Sequence, residues 1–191
     1  MRVLIACESS ATVREAFASN GWDAWSCDIL PTEIHGNHYQ CDVREVLGRQ
    51  WDLIIAHPPC TRLCNSGVRW LESRGLQDEM REGANFFKMF LGLGKTPVCI
   101  ENPIMHKYAV EIIGCRQTQV IQPWMFGHGE TKATCLWLKY LPKLTPTNVV
   151  EGREQKIHLM PPGPERWKLR SKTFQGIADA MADQWTKYLI K

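Results

Sequence analysis

A cysteine presented by a double proline is the first pattern in this chain that could do chemistry. Residues 51–64 read Trp-Asp-Leu-Ile-Ile-Ala-His-Pro-Pro-Cys-Thr-Arg-Leu-Cys. Pro58 and Pro59 lack a backbone N–H and fix their own φ. The apolar run at 52–56 therefore reads as a buried strand that must stop there, with Cys60 just past its carboxyl end. In open α/β sheets that is where ligands bind. Residues 96–103, Thr-Pro-Val-Cys-Ile-Glu-Asn-Pro, repeat the design: an apolar run, polar side chains, a proline stop. Two adjacent strand ends would then offer Cys60 and Glu101 to one crevice. A thiolate adding to carbon 6 of a pyrimidine makes carbon 5 nucleophilic, and an acid at ring nitrogen 3 absorbs the developing charge. For Cys60 alone, a buried thiol in a Pro-Pro turn is an equal reading. Glu101-Asn102-Pro103 weighs against it.

The elements that must position these residues follow from periodicity. Residues 2–7 (Arg-Val-Leu-Ile-Ala-Cys) read as a first strand, and Val13, Ala16 and Phe17 have helical spacing that Asn20-Gly21 closes. A second short strand over 23–27 ends at Asp28. Strand, turn, helix, strand and acid make the start of a nucleotide-binding α/β unit, in which the acid accepts hydrogen bonds from a ribose. A plain turn residue is the alternative for Asp28. The first turn, Glu8-Ser9-Ser10-Ala11-Thr12, has no glycine. That argues against a pyrophosphate dinucleotide and leaves room for a phosphate-free cofactor such as S-adenosylmethionine. A brief strand at 39–42 leads to Asp42, which is placed to cap a helix burying Val43, Val46 and Leu47. Residues 61–70 read as a polar, flexible segment in which Gly67 permits a hinge. The longest helix spans 76–91, with Met80, Ala84, Phe87 and Leu91 inward and Phe86 and Phe90 widening the stripe. Short strands are expected at 120–122 and 135–137, and 142–164 is loop-like with five prolines. From Phe174 a terminal helix carries Ile177, Ala180, Met181, Trp185, Tyr188 and Leu189 on one side.

Composition sets the class. The chain of 191 residues is 44% hydrophobic and 23% charged, as expected for a single globular domain. No apolar run approaches the roughly 18 residues that would span a bilayer, and the N-terminal run is too short for a signal peptide. A cytoplasmic protein is expected, in the host cytoplasm if a phage encodes it. The eight cysteines include no Cys-x-x-Cys pair and no zinc spacing, so no metal is expected, and Cys7, Cys27, Cys41 and Cys99 suit buried apolar positions in a reduced protein. His35 and His38 fall in a polar loop without a third ligand. Net charge is +3, and Arg153, Lys156, Arg166, Lys168, Arg170 and Lys172 form a local basic cluster. Arg166-Trp167-Lys168-Leu169-Arg170 interleaves cations with an aromatic, which suits nucleic acid; a solvated or packed loop is the other reading.

Taken together, these residues carry a resemblance. Pro58-Pro59-Cys60 resembles the Pro-Cys motif of cytosine-C5 DNA methyltransferases, and Glu101-Asn102-Pro103 resembles their Glu-Asn-Val motif. Residues 2–28 are similar to the first cofactor motif and its ribose acid, Cys41-Asp42-Val43 to the next acidic motif, and Gly176-Ile-Ala-Asp-Ala-Met-Ala to the C-terminal one. Small phage-type members look most similar. The resemblance implies a Rossmann-like methyltransferase fold, three-layer α/β/α with a mostly parallel sheet, and S-adenosylmethionine as cofactor. It implies Cys60 as nucleophile, Glu101 at nitrogen 3 and the exocyclic amine, and Asn102 bracing the cysteine loop. Cys7, Glu8, Ser9, Ser10, Asp28, Ile29, Asp42, Val43 and Pro58 would form the cofactor side. Pro59, Lys132, Arg166, Lys168 and Arg170 would meet DNA. The chain departs from the family in three places: the Phe-x-Gly-x-Gly glycines are missing, Lys132 stands where a Gln-x-Arg-x-Arg motif is usual, and only a basic, proline-rich stretch at about 138–172 replaces the target-recognition domain. A pyrimidine nucleotide, single-stranded DNA or RNA is therefore the alternative substrate, and a non-catalytic binder of nucleic acid or protein the alternative role.

Overall fold

Short aliphatic runs bounded by turn chemistry build one seven-stranded sheet in the computed structural model, which describes residues 1–190. In chain order the elements are β1 (Arg2–Ala6), α1 (Thr12–Ser19), β2 (Asp23–Asp28), β3 (His38–Gln40), α2 (Arg44–Leu47), β4 (Leu53–Ala56), α3 (Arg69–Ser73) and α4 (Gln77–Leu91). There follow β5 (Val98–Pro103), α5 (Lys107–Ile113), β6 (Gln119–Ile121), β7 (Thr134–Lys139), α6 (Lys156–Leu159), α7 (Arg166–Ser171) and α8 (Gln175–Leu189). The sheet order is β3-β2-β1-β4-β5-β7-β6. β7 runs antiparallel to both its neighbours, and the other pairings are parallel.

A parallel sheet covered on both faces needs strands that are apolar at every position, and β4 and residues 3–6 of β1 meet that need. Alternate side chains separate into two cores. Leu4, Ala6, Ile54 and Ile100 pack with Met80, Phe87 and Phe90 of α4 and with Ala109 of α5. Val3, Ile5, Leu53 and Ile55 pack with Val13 and Phe17 of α1 and with Ile177, Met181 and Trp185 of α8. The result is the expected Rossmann-like arrangement of three α/β/α layers around a mostly parallel sheet. No helix among the described residues is long and apolar enough to cross a membrane.

Several local expectations are revised. The segment after Cys60 is not uniformly polar and loose: it folds into α3, with Leu63 and Leu71 buried. α5 had no sequence signal because its cap is His106, whose ring accepts the Ala109 N–H at 3.2 Å, rather than Ser, Thr or Asp. The proline-rich stretch contains the short α6 and α7. β5 runs on through Glu101 and Asn102 to Pro103, because the antiparallel partner β7 extends that far. Those two polar residues thus lie within a strand. Tyr188 is exposed, so the apolar side of α8 ends earlier than expected. His38 opens β3, with its ring held between Ser26 Oγ and the Leu30 carbonyl.

Two fastenings shape the surroundings of the site. Arg14, buried on α1, donates to Ser26 Oγ at 3.1 Å, Thr32 Oγ1 at 3.2 Å and the Ile34 carbonyl at 2.7 Å, fixing the loop between β2 and β3. Gly176, in the first turn of α8, lies so close to the 126–128 segment that an added Cβ would meet the Phe126 carbonyl oxygen at 1.9 Å. Its N–H donates to His128 Nε2 at 3.0 Å. Gly176→Ala should therefore destabilise the fold by about 1–3 kcal/mol or more, read as a lower urea midpoint at constant slope. An unchanged midpoint would contradict this packing.

Candidate active site

The carboxyl ends of β4 and β5 build the site. Residue 57 follows β4 directly, and its N–H donates to the Ala6 carbonyl at 2.9 Å, so the strand alignment carries one residue beyond Ala56. Pro58 is buried and Pro59 exposed. Cys60, half-buried, starts a helical turn in which its carbonyl accepts the Leu63 and Cys64 N–H groups at 2.9 and 3.1 Å. That turn is fastened to the chain after β5. The His106 N–H donates to the Leu63 carbonyl at 3.0 Å and the Asn65 N–H to the Ile104 carbonyl at 3.2 Å. Asn102 Nδ2 donates to the Pro58 carbonyl at 2.9 Å. The loop bearing the cysteine is thereby held by the strand bearing the acid.

Glu101 is 9% exposed, and two groups converge on its Oε2: His57 Nδ1 at 3.0 Å and Thr173 Oγ1 at 3.1 Å. Burial pushes the carboxyl up, but the His57 hydrogen bond and charge, Lys132 and Thr173 outweigh it and bring it down to about 2. For His57, burial opposes the charged ring, while the bond and charge of Glu101 raise its value above the usual 6.5. Both bonds fall on Oε2, which leaves Oε1 for a ligand. Neither His57 nor Thr173 stood out in the sequence. The only signal for His57 is its place beside Pro58-Pro59-Cys60. Thr173 comes from 72 residues away and carries none.

Cys60 and Cys64 stand one helical turn apart, and Cys64 Sγ lies 3.1 Å from Ser66 Oγ. The neighbouring Cys64 thiol, then burial, raises Cys60, whereas Cys60, with Ser66 beside it, holds Cys64 down at about 5. Physically, one thiolate is stabilised by the remaining S–H and the second ionisation is opposed.

On the neighbouring side of the crevice, the first turn achieves without glycine what usually needs one: Cys7 (φ 59°) and Ala11 (φ 63°) adopt the left-handed region. Glu8 is buried and committed to α1. Its Oε1 accepts the Val13 N–H at 2.8 Å and the Ser10 hydroxyl at 3.1 Å, and its Oε2 accepts the Arg14 N–H at 3.2 Å. The Ser9 carbonyl accepts the Glu33 N–H at 2.8 Å. Asp42 caps α2, accepting the Arg44 N–H at 2.9 Å and the Arg44 guanidinium at 3.1 Å. Val43 is buried in the core. Asp28 accepts the Leu30 N–H at Oδ1, and Oδ2 remains free for a ligand. Ile29 beside it is 74% exposed, which is unusual for a large apolar side chain. Burial, and then Asp28 and Asp42, push the Cys7 thiol up, so these three residues share one locality.

The basic residues have diverse placements. Lys132 lies near Glu101, its Nζ donating to the Lys172 carbonyl at 3.1 Å. Lys168 and Lys172 both engage Glu33, which clasps the end of α7 to the β2–β3 loop. Arg166 donates to the Met160 carbonyl at 2.8 Å. Trp167 is 59% exposed, so it is not a packed loop residue, and it shares a surface groove with Arg166 and Arg170. Among the described residues, no hydrogen bond or ion pair links Arg166 or Arg170 to Cys60, Glu101 or Asn102.

The structure thus brings Cys60, Glu101, Asn102, Pro58 and Lys132 together and adds His57 and Thr173. Cys7, Asp28 and Asp42 form a second group at the ends of the neighbouring strands. No protein-family model and no curated protein matches the chain. Among solved structures, the chain is similar to a protein encoded within an E. coli prophage and assigned as a DNA modification methyltransferase, with TM-score 0.48 and 14% identity. The alignment covers 76% of this chain and 53% of that one, so this chain spans about half the length of that protein.

The shared proton makes the thiol pair testable. At pH 7, iodoacetamide should label Cys64 roughly tenfold faster than an ordinary cysteine; Cys60→Ala should slow labelling of Cys64 and Cys64→Ala should speed labelling of Cys60, read by mass spectrometry of the 60–64 peptide. Equal rates in all three proteins would contradict the sharing.

Proposed function

We propose that this protein is an S-adenosylmethionine-dependent cytosine-C5 DNA methyltransferase, with residues 1–191 as one catalytic domain and 138–172 in place of a target-recognition domain. The observation that carries this reading is the Asn102–Pro58 bond, which locks the Cys60 loop against the strand that holds Glu101. Cys60 attacks carbon 6 of the base: the S–C6 bond forms, the C5–C6 double bond opens, and Cys64 takes up the thiol proton. Oε1 of Glu101 faces nitrogen 3, where a proton drawn from solvent and held between ring and carboxylate neutralises the electron pair displaced into the ring, and Oε1 also accepts from the exocyclic amine. Carbon 5 then becomes the nucleophile. The cofactor supplies a methyl group bearing a positive leaving centre. The carbon 5 proton passes to solvent, the C5–C6 double bond re-forms as the S–C6 bond breaks, nitrogen 3 gives up its proton, and Cys60 takes its own back from Cys64.

The second group of residues suits an adenosine-type cofactor. Asp28 keeps one carboxylate oxygen for a ribose, and the exposed Ile29 offers an apolar face to the base. Cys7, Ser9 and Ser10 would line the turn. Glu8 would act through it by fixing the start of α1.

DNA is the substrate favoured by the exposed Trp167 with Arg166 and Arg170 on α7. The guanidinium groups of Arg69 and Arg74 over Trp70 on α3 add a second cationic, aromatic element near Cys60. α3 packs through Leu71 into the α4 layer, whereas α7 leads into α8 on the opposite layer. A base flipped from a duplex would enter between them. One observation favours an unpaired strand or pyrimidine nucleotide as second reading: α7 is six residues long, and its Lys168 and the flanking Lys172 are spent on Glu33.

The test is transfer of tritium from labelled S-adenosylmethionine to duplex DNA, single-stranded DNA, RNA or dCMP. Wild type should label duplex DNA, Cys60→Ala should reduce labelling by at least about 10³-fold, and Asn102→Ala, which frees the cysteine loop, by about 10²-fold. Label in dCMP or single strands alone would select the second reading. Label that survives Cys60→Ala, or none with wild type, would overturn the reaction.

A further inference from the structure

We infer that His57 is a positioning residue of this reaction: it clamps one oxygen of Glu101 and sets the charge with which the other oxygen meets the base. The inference rests on the methyltransferase reading above and extends it to a residue outside the thiol and acid motifs.

Sheet register carries the argument. Ala56 of β4 pairs with Ile100 of β5, so residues 57 and 101 follow side by side at the edge of the crevice. His57 Nδ1 reaches Oε2 of Glu101 at 3.0 Å, while Thr173, ahead of α8, reaches the same oxygen at 3.1 Å. A carboxylate oxygen has two good acceptor positions, and both are filled. The carboxylate is thus fixed from β4, β5 and the 173 segment, and only Oε1 is left to contact nitrogen 3 and the amine.

Because Nδ1 faces a carboxylate, it keeps its proton in either charge state. Nε2, which is buried without a partner, is the atom that gains or loses one. The charged groups around the ring are Glu101 on β5, Glu8 after β1 and Lys132 ahead of β7. Burial and Lys132 oppose the imidazolium, the two acids favour it, and the acids prevail. An imidazolium on Oε2 makes Glu101 a stronger acid, so the proton shared with nitrogen 3 lies on the ring and draws electrons from carbon 6. Once Nε2 loses its proton, Glu101 becomes more basic and draws the proton taken up from solvent away from nitrogen 3. Methyl transfer should therefore be full below the raised His57 value and fall as pH rises through it.

Two measurements test this. The His57 ring, followed by NMR in the wild-type protein, should titrate above 6.5, and in Glu101→Gln it should titrate lower. In the methylation assay, His57→Gln should lower kcat by about 10- to 100-fold, leave KM for DNA within about twofold, and remove the alkaline decline that wild type shows. A wild-type His57 that titrates at or below 6.5, an unchanged value in Glu101→Gln, or a His57→Gln enzyme that keeps the wild-type decline would overturn the role. A protein that methylates no nucleic acid would overturn the methyltransferase reading and this role with it, whereas an active wild type indifferent to His57→Gln overturns the role of His57 alone.

Discussion

The parallel pairing of β4 with β5 is the constraint on which the site depends. Its register, Ile54 with Val98 through Ala56 with Ile100, decides which residues face one another where the strands leave the sheet. A one-residue slip would turn each side chain to the other face and separate His57 from Glu101. The register is specified by burial on both sides: Ile54 and Ile100 belong to the core under α4, and Leu53 and Ile55 to the core under α8. Core packing therefore decides which residues meet at the sheet edge.

Past the edge, backbone and side chain share the task. The double proline prevents β4 from continuing, and Asn102 then captures the Pro58 carbonyl at 2.9 Å. Leu63, fully buried, anchors the turn that begins at Cys60, and the His106 N–H bonds its carbonyl. Glu101 is held ionised in a largely buried place because His57, Thr173 and Lys132 surround it. The same architecture explains the strained first turn. Cys7 and Ala11 hold left-handed conformations because the Glu8 carboxylate binds the Val13 and Arg14 N–H groups and draws the start of α1 close. Such strain is stored where a backbone must approach a ligand.

Much of this was legible in the sequence wherever a local pattern is paired with a long-range consequence. The apolar runs of β1 and β4, the stripe of α4 and the Asn-Gly stop after α1 rest on periodicity and turn chemistry. The placement of Cys60, Glu101 and Asn102 near one edge followed from two strands with one design. What could not be read was contact between segments with no sequence relation. Thr173 meets Glu101 across 72 residues, and Lys172 meets Glu33 across 139. α5 escaped because a histidine caps it, and α3 and α7 because one or two helical turns carry too few apolar positions to show a period. Asp42 was legible as a helix cap, whereas the use of Glu8 to fix the start of α1 is visible only in the structure.

The central claim is that Cys60 forms a covalent bond to the pyrimidine under the control of Glu101. Duplex DNA bearing 5-fluorocytosine, incubated with the protein and S-adenosylmethionine, tests it directly, because fluorine cannot leave carbon 5 as a proton does and the S–C6 bond is trapped. The account predicts a protein–DNA adduct that survives denaturing electrophoresis, maps to Cys60 by mass spectrometry, and is lost in Cys60→Ala and Glu101→Gln. Absence of an adduct with wild type, or an adduct mapped to any other residue, would contradict it.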